Sequence, residues 1–159
     1  TNPPRHDALP IYPDPPFPLE KILPEAGKSH NPSKTPDHYA LAGSSSGATA
    51  AFNASWNRPD QFRRVLSFIG SFVNLRGAQI LPSLIRKFEP KPLRVFLQDG
   101  KNDLDNEHGN WWLANLQMEA SLKFKKYDYQ FAGGEGGHNG IHGGTILPDS
   151  PRWPWRKHK

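Results

Sequence analysis

The chain has 159 residues, a formal net charge of +5 at pH 7 and no cysteine. The length is typical of one domain or of a fragment of a larger one. The lack of cysteine excludes disulfides and thiolate metal sites, and no apolar run approaches the roughly 18–20 residues that a membrane span needs. We therefore expect a soluble protein whose targeting peptide, if any, has been removed or was never included. A secreted or periplasmic location is favoured slightly over a cytoplasmic one.

Basic residues collect at the ends of segments and in the tail RWPWRKHK (152–159). A nucleic-acid footprint is typically a basic stripe or patch on one face or along one helix. The sequence shows no such stripe with interleaved aromatic residues. We therefore expect neither a nucleic-acid partner nor a membrane partner.

Proline dominates the start of the chain, where residues 1–36 hold ten of the 17 prolines. In residues 1–18 proline removes backbone donors and blocks both helix and central strand. We predict that this segment is extended and that residues 19–159 form the domain proper. At their start, PLEKILPEAGKSH (18–30) predicts a short or kinked helix with Leu19, Ile22 and Leu23 on one face.

Beyond Pro36, short apolar runs alternate with segments of helical spacing. Alternation of this kind, with nearly uninterrupted apolar strands, indicates a parallel sheet covered by helices on both faces. The prediction is an α/β fold with about four strands. The strands are HYALAG (38–43), RVLSFIG (64–70), PLRVFLQDG (92–100) and YDYQFAGG (127–134); the helices are ATAAFNASWN (48–57), LPSLIRKFE (81–89) and NWWLANLQMEASLKFKK (110–126), with Asn110 as N-cap, and DSPRWPWR (149–156) ends in a helical turn.

Three serines stand between two glycines where the first strand meets the first helix. Gly43, Ser45 and Gly47 fit G-x-S-x-G, the pattern of a strained strand-to-helix turn that exposes a serine hydroxyl. The glycines are expected because residues two before and two after that serine approach closely. Ser45 then lies at a helix N-terminus, where backbone N–H groups can meet a developing oxyanion.

A serine nucleophile needs a base, and the base needs an acid that orients it. The strand RVFLQ is followed by Asp99, Asp103 and Asp105, and the next strand runs into GGEGGHNG, which presents His138. The order Ser, Asp, His is that of the α/β-hydrolases. Each candidate follows its own strand, at the edge of the sheet where Ser45 also lies.

Three stretches carry a family resemblance: AGSSSGATAAFNASWNRPDQFRRVLSFIGSF, RVFLQDGKND and GEGGHNG. They resemble the esterase branch of the α/β-hydrolases, the group of esterase D (S-formylglutathione hydrolase), enterochelin esterases and feruloyl or acetylxylan esterases. The resemblance covers roughly residues 19–156. It implies a partial α/β-hydrolase domain and a serine carboxylic-ester hydrolase that works through an acyl-enzyme without a cofactor. The expected substrate is a small-molecule or polymer-linked ester.

The same resemblance assigns roles to the candidate residues. The family's acid lies in a G-x-x-[DE] segment, which here runs from Gly100 to Asp103, and its histidine follows two glycines, as His138 does. Asp103 is therefore the expected acid, Asp99 a turn residue and Asp105 a solvated one. Ser46 is expected to donate its backbone N–H to the oxyanion.

Family members carry about four more strands ahead of the serine, and their second oxyanion donor lies on a loop that precedes this sequence. Loss of one such donor costs on the order of 10²–10³ in rate. The strand HYALAG would also be left with a bare parallel edge. We expect association through that edge, in a homo-oligomer such as a two-fold dimer.

Other residues have less specific interpretations. Trp111 and Trp112 could form a wall of the substrate pocket or pack the start of their helix, and Glu135 could orient its loop or be solvated. His138 and His142 are four apart, with His108 available, but HNGIHGG is too rich in glycine for the helix that a zinc site would need, so we expect no metal. Two alternatives to an esterase remain: a non-catalytic truncated fragment, and a binding module that uses the basic tail and the exposed edge.

Overall fold

The computed structural model describes Lys21 and residues 23–156. Its centre is a parallel sheet of four strands in the order β1-β2-β3-β6, which confirms the predicted α/β class and strand number. The proline-rich segment 1–18 lies outside the described residues. The strands are β1 (Ala40–Ser44), β2 (Arg64–Phe68), β3 (Arg94–Asn102), β4 (Asp105–Asn106), β5 (Gly109–Asn110) and β6 (Asp128–Gly137), with β4 and β5 forming a separate antiparallel pair.

Helices follow the strands in the predicted order. Asn110 caps the longest of them, because its side chain accepts the N–H of Leu113. The helices are α1 (Leu23–Gly27), α2 (Ser46–Asn57), α3 (Leu81–Lys87), α4 (Trp111–Phe124) and α5 (Gly140–Ile146), with 3-10 turns at Pro36–His38, Ala78–Ile80 and Trp153–Trp155.

The main hydrophobic core fills one face of the sheet. Val65 of β2 and Val95 and Leu97 of β3 point to that face, as the period of two along a strand requires. Helices α2, α3 and α4 cover them with Phe52, Trp56, Leu81, Ile85, Met118 and Leu122, all at most 2% exposed. Burial of these side chains is the main source of stability in the fold.

The opposite face is covered by the end of the chain. Phe96 of β3 packs against Trp153, with ring centroids 6.3 Å apart. Arg64 and Arg94 both donate to the carbonyl of Pro154. The amino-terminal ends of β2 and β3 therefore hold the 3-10 turn Trp153–Trp155 against the sheet. Helices or turns therefore lie on both faces, as expected.

Strands β3 and β6 extend beyond their predicted ends. The Asp-Gly pair at 99–100, expected to end β3, continues the strand to Asn102, and β6 runs to Gly137. The backbones approach closely here: a Cβ on Gly100 would lie 2.0 Å from the carbonyl oxygen of Gly136. Glycine is thus required by strand packing rather than by a turn.

The HNGIHGG segment also differs from the prediction, because Gly140–Ile146 forms α5. Asn139 caps this helix by accepting the N–H of Ile141 at 3.0 Å. A Cβ on Gly143 would approach Phe68 and Gln98 to within 3.1 and 3.2 Å. Close packing of α5 on the sheet therefore offsets the poor helix propensity of glycine.

In the described part of the chain, β1 pairs with β2 alone and is an edge strand. Association through its other edge stays a prediction. No helix among the described residues has the length and apolar character needed to cross a bilayer.

The backbone also crosses itself closely at the turn between β1 and α2. A Cβ on Gly43 would lie 2.2 Å from the carbonyl carbon and oxygen of Gly47. A Cβ on Gly47 itself would meet nothing within 4 Å. The expectation that both glycines are sterically required is therefore correct for Gly43 and wrong for Gly47.

We predict that Gly43→Ala destabilises the protein by about 3 kcal/mol or more, because a methyl group forced into a packed backbone crossing strains it. Gly47→Ala is the matched control, and it should be neutral or stabilising by up to about 1 kcal/mol because alanine favours helix. Urea unfolding followed by circular dichroism measures both variants. Equal stability of the two variants would contradict the steric account.

Candidate active site

Ser45 occupies the strained turn between β1 and α2. Its φ of 56° and ψ of −123° lie outside the regions that residues with a side chain prefer. The surrounding backbone holds it there, because its carbonyl accepts the N–H groups of Ala48, Thr49 and Ser71 and its own N–H donates to Phe68. Strain maintained by neighbouring structure in this way is typical of functional sites.

Asp103 and His138 lie side by side because the strands that precede them are neighbours in the sheet. Strands β3 and β6 pair in parallel, and Asn102 is in register with Gly137. The residue directly after each strand is a site candidate, Asp103 after β3 and His138 after β6. The extra length of both strands carries this pair beyond the end of β2, towards Ser45.

A continuous hydrogen-bonded chain joins the three side chains. Nε2 of His138 lies 2.9 Å from Oγ of Ser45, and Nδ1 lies 2.6 Å from Oδ1 of Asp103. The Asp103 side chain is fully buried, and that of His138 is 20% exposed. The arrangement suits a tautomer in which Nδ1 donates to Asp103 and Nε2 accepts the serine proton.

Ser46 is the first residue of α2. Its N–H is one of the first four in the helix, which have no partner within the helix. That position, directly after Ser45, suits an oxyanion donor.

Ser71, which the sequence did not single out, contacts the Ser45 hydroxyl directly. The two Oγ atoms are 3.0 Å apart, and Ser71 Oγ also accepts the indole N–H of Trp111 at 3.0 Å. Because an indole N–H can only donate, Ser71 Oγ is the acceptor in that bond. The Ser71 hydroxyl proton is therefore available for donation to Ser45 Oγ. Nothing in the pattern SFIGSF predicts this contact.

Asp99 is not a turn residue, and that prediction is wrong. It lies within β3 and is completely buried. Its Oδ2 accepts the Asn115 amide at 2.8 Å and its Oδ1 the N–H of Gly100 at 2.8 Å. Burial and the adjacent Asp103 carboxyl raise the pKa of Asp99 to about 8.

The two tryptophans have different surroundings. Trp111 is buried and packs edge-on against the His138 ring, with centroids 5.7 Å apart. Trp112 packs against Phe131 at 5.5 Å. Neither lines the cavity of about 220 Å³ that opens beside Ser44 and Asn139, between β2 and α5. Their role in substrate binding stays a prediction.

The remaining candidates lie outside the hydrogen-bonded chain. Asp105 is exposed, and Glu135 is exposed and pairs with Lys101 at 2.5 Å. His142 lies on α5 with Nδ1 2.9 Å from the Gln98 amide, whereas His138 precedes that helix. In the part of the chain that the structure describes, no group of three or more histidine or acidic side chains could hold a metal ion.

No family model matches the sequence, and no curated protein matches it. Solved structures do match. A ferulic acid esterase aligns with a TM-score of 0.71 at 18% identity, over 88% of this chain and 60% of its own. Enterochelin esterase from Shigella flexneri aligns with a TM-score of 0.72 at 25% identity, over 87% of this chain and 36% of its own.

An S-formylglutathione hydrolase from Staphylococcus aureus aligns with a TM-score of 0.64 at 16% identity, over 86% of this chain and 58% of its own. The chain thus spans between about a third and three fifths of the length of these neighbours. The chain therefore shares its fold with part of these α/β-hydrolase structures, which include esterases.

Proposed function

We propose that the protein hydrolyses carboxylic esters through an acyl-enzyme on Ser45. The observation that carries the proposal is the hydrogen-bonded chain from Asp103 through His138 to Ser45, with distances of 2.6 and 2.9 Å. Nucleophile, base and orienting acid at hydrogen-bond distance are the signature of this chemistry. The esterases among the structural neighbours support the same reaction class.

Each residue has a defined role in the proposed reaction. His138 takes the Ser45 proton at Nε2 while Oγ attacks the ester carbonyl, and Asp103 accepts the Nδ1–H and stabilises the imidazolium. The Ser46 N–H donates to the oxyanion. His138 then returns the proton to the leaving alcohol, and water activated by the same base releases the acid.

The cavity beside the site is the best candidate for the acyl pocket. Its lining includes Ser44 and Asn139, which are the sequence neighbours of Ser45 and His138. Phe68, Ile69 and Leu147 make the lining mainly apolar. A small or aromatic acyl group suits such a wall. The substrate panel therefore runs from acetyl and butyryl esters to methyl ferulate.

One rival reading is a fragment that folds but does not turn over. It is motivated by the share of each neighbour that the chain spans, 60% of the ferulic acid esterase and 36% of the enterochelin esterase. A fluorophosphonate probe distinguishes the two, because only an activated serine reacts with it. For an esterase, intact mass spectrometry would show one adduct that is absent in Ser45→Ala; for an inactive fragment it would show none.

We predict that Ser45→Ala lowers kcat/KM for p-nitrophenyl acetate at least about 10³-fold, since no nucleophile remains. Ser46→Ala is the matched control, because it removes only a side chain and keeps the N–H donor. Its activity should stay within about threefold of that of the original protein, which corresponds to a change in the activation free energy of well under about 1.4 kcal/mol. An unchanged rate in Ser45→Ala would exclude the proposed mechanism.

Ser71→Ala should lower kcat about tenfold with little change in KM, the loss of one hydrogen bond of about 1.4 kcal/mol in the transition state. The reason is that Ser45 Oγ loses the donor that fixes its orientation. Ser55→Ala is the control, because Ser55 is also fully buried and its Oγ has no partner among the described residues. Steady-state kinetics of both variants test the contact, and equal kcat values would argue against it.

A further inference from the structure

A second buried carboxyl stands behind the proposed acid. Asp99 is 0% exposed, and both of its oxygens are fixed, one by the Asn115 amide and one by the N–H of Gly100. The chain turns back beside it, because the N–H of Asp103 donates to the carbonyl of Gly100 at 3.1 Å, and the Asp103 carboxyl is one of the groups that raise the pKa of Asp99. The proposed reaction gives Asp99 no role.

The hydrogen bonds of Asp103 are distributed unevenly between its two oxygens. Oδ1 lies 2.6 Å from His138 Nδ1 and also accepts the N–H of Leu104 at 2.6 Å. Oδ2 is buried, and no donor in the described part of the chain reaches it. A buried carboxylate oxygen without a donor is costly, so the site lacks one proton donor at this point.

We propose that Asp99 is a positioning residue, which carries a proton and donates it in a hydrogen bond to Oδ2 of Asp103. The inference rests on the proposed function for its catalytic consequence. Two ionised carboxylates offer only acceptors, whereas a neutral Asp99 supplies the missing donor. With both oxygens of Asp103 bonded, its side chain keeps one orientation towards His138.

The surroundings of Asp99 favour its neutral form. The N–H of Gly100 and the Asn115 amide of α4 donate to it and lower its pKa, whereas the Asp103 carboxyl, on the loop after β3, raises it. His138 lies beyond Asp103. Burial and the like charge of Asp103 both raise the pKa of Asp99, to about 8.

The pH dependence follows from this assignment. Unfolding exposes Asp99 and returns its pKa to near 4, so the folded protein binds the proton more tightly. The contribution of Asp99 to the free energy of unfolding is therefore greatest below about pH 4, and it falls as the pH rises towards 8. Above pH 8 the ionised Asp99 no longer donates, and two adjacent negative charges disturb the orientation of Asp103.

Two variants separate donation from packing. Asp99→Asn keeps an N–H donor and cannot ionise, and Asn115 retains Gly70 and Trp111 carbonyls as other acceptors. Asp99→Leu has a similar size and no donor. Asp105→Asn, at an exposed position, is the control for loss of one carboxylate.

The first measurements do not require turnover. Urea unfolding between pH 5 and 8 should show that stability of the original protein falls with pH and that Asp99→Asn removes most of the slope. The low-field NMR resonance of the His138 Nδ1 proton, assigned by its absence in His138→Gln, should move between pH 7 and 9 in the original protein. It should stay constant in Asp99→Asn, and Asp99→Leu should shift or broaden it at pH 7.

The kinetic arm uses p-nitrophenyl acetate. We expect kcat to fall above about pH 8 in the original protein and not in Asp99→Asn. In Asp99→Leu, kcat should be about tenfold lower at pH 7 because one hydrogen bond is lost, and KM should change little. A stability slope and a His138 resonance that Asp99→Asn leaves unchanged would overturn the proposal. Inactivity of the original protein would contradict the proposed function alone, because the unfolding and NMR results would still decide the role of Asp99.

Discussion

One imidazole, held from both sides, connects the parts of the candidate site. His138 contacts Asp103 through Nδ1 and Ser45 through Nε2, and these partners follow different strands. Parallel strands end at a common edge, so the sheet brings their carboxyl ends together. Strand β2 lies between β1 and β3, however. His138 therefore reaches Ser45 only because β3 and β6 continue past the end of β2.

The glycines of β6 make room for a side chain of α5. A Cβ on Gly134 or Gly136 would lie 2.5 or 2.9 Å from the side chain of His142. The space they leave admits His142, whose Nδ1 is 2.9 Å from the Gln98 amide. Helix α5 is thereby attached to the sheet next to the loop that carries His138. The glycine-rich run is a packing surface rather than a flexible linker.

Helix α4 supports both ends of the hydrogen-bonded chain. Trp111 and Asn115 are four residues apart and so share one face of the helix. Trp111 donates to Ser71, which contacts Ser45, while Asn115 donates to Asp99 beside Asp103. Met118 and Leu122 continue this face into the hydrophobic core. Polar positioning and apolar packing therefore use the same helix, and a shift of α4 would disturb the nucleophile and the acid together.

The fold, and the fact that Ser45, Asp103 and His138 meet at one edge of the sheet, could be predicted because the signals for them are local. Apolar runs of strand length alternate with helical spacing, and the serine motif lies where strand meets helix. Asp99 could not be assigned, because Asp-Gly is a turn signal and the group that satisfies its carboxyl, Asn115, lies sixteen residues away. The same holds for α5, which tertiary packing at Gly143 stabilises against its propensity, and for Ser71, whose contact with Ser45 spans 26 residues.

The outer edge of β1 lies next to the residues of the candidate site. All three members of the hydrogen-bonded chain lie between residues 45 and 138, so their geometry needs only the four strands described. In the described part of the chain the outer edge of β1 has no paired strand, and Ser45 and the Ser46 N–H follow directly from it. A parallel strand paired along that edge would run alongside β1 towards the turn that carries Ser45 and Ser46. Under the proposed function, the group that covers this edge affects how completely the oxyanion is stabilised, because removal of one donor costs on the order of 10²–10³ in rate.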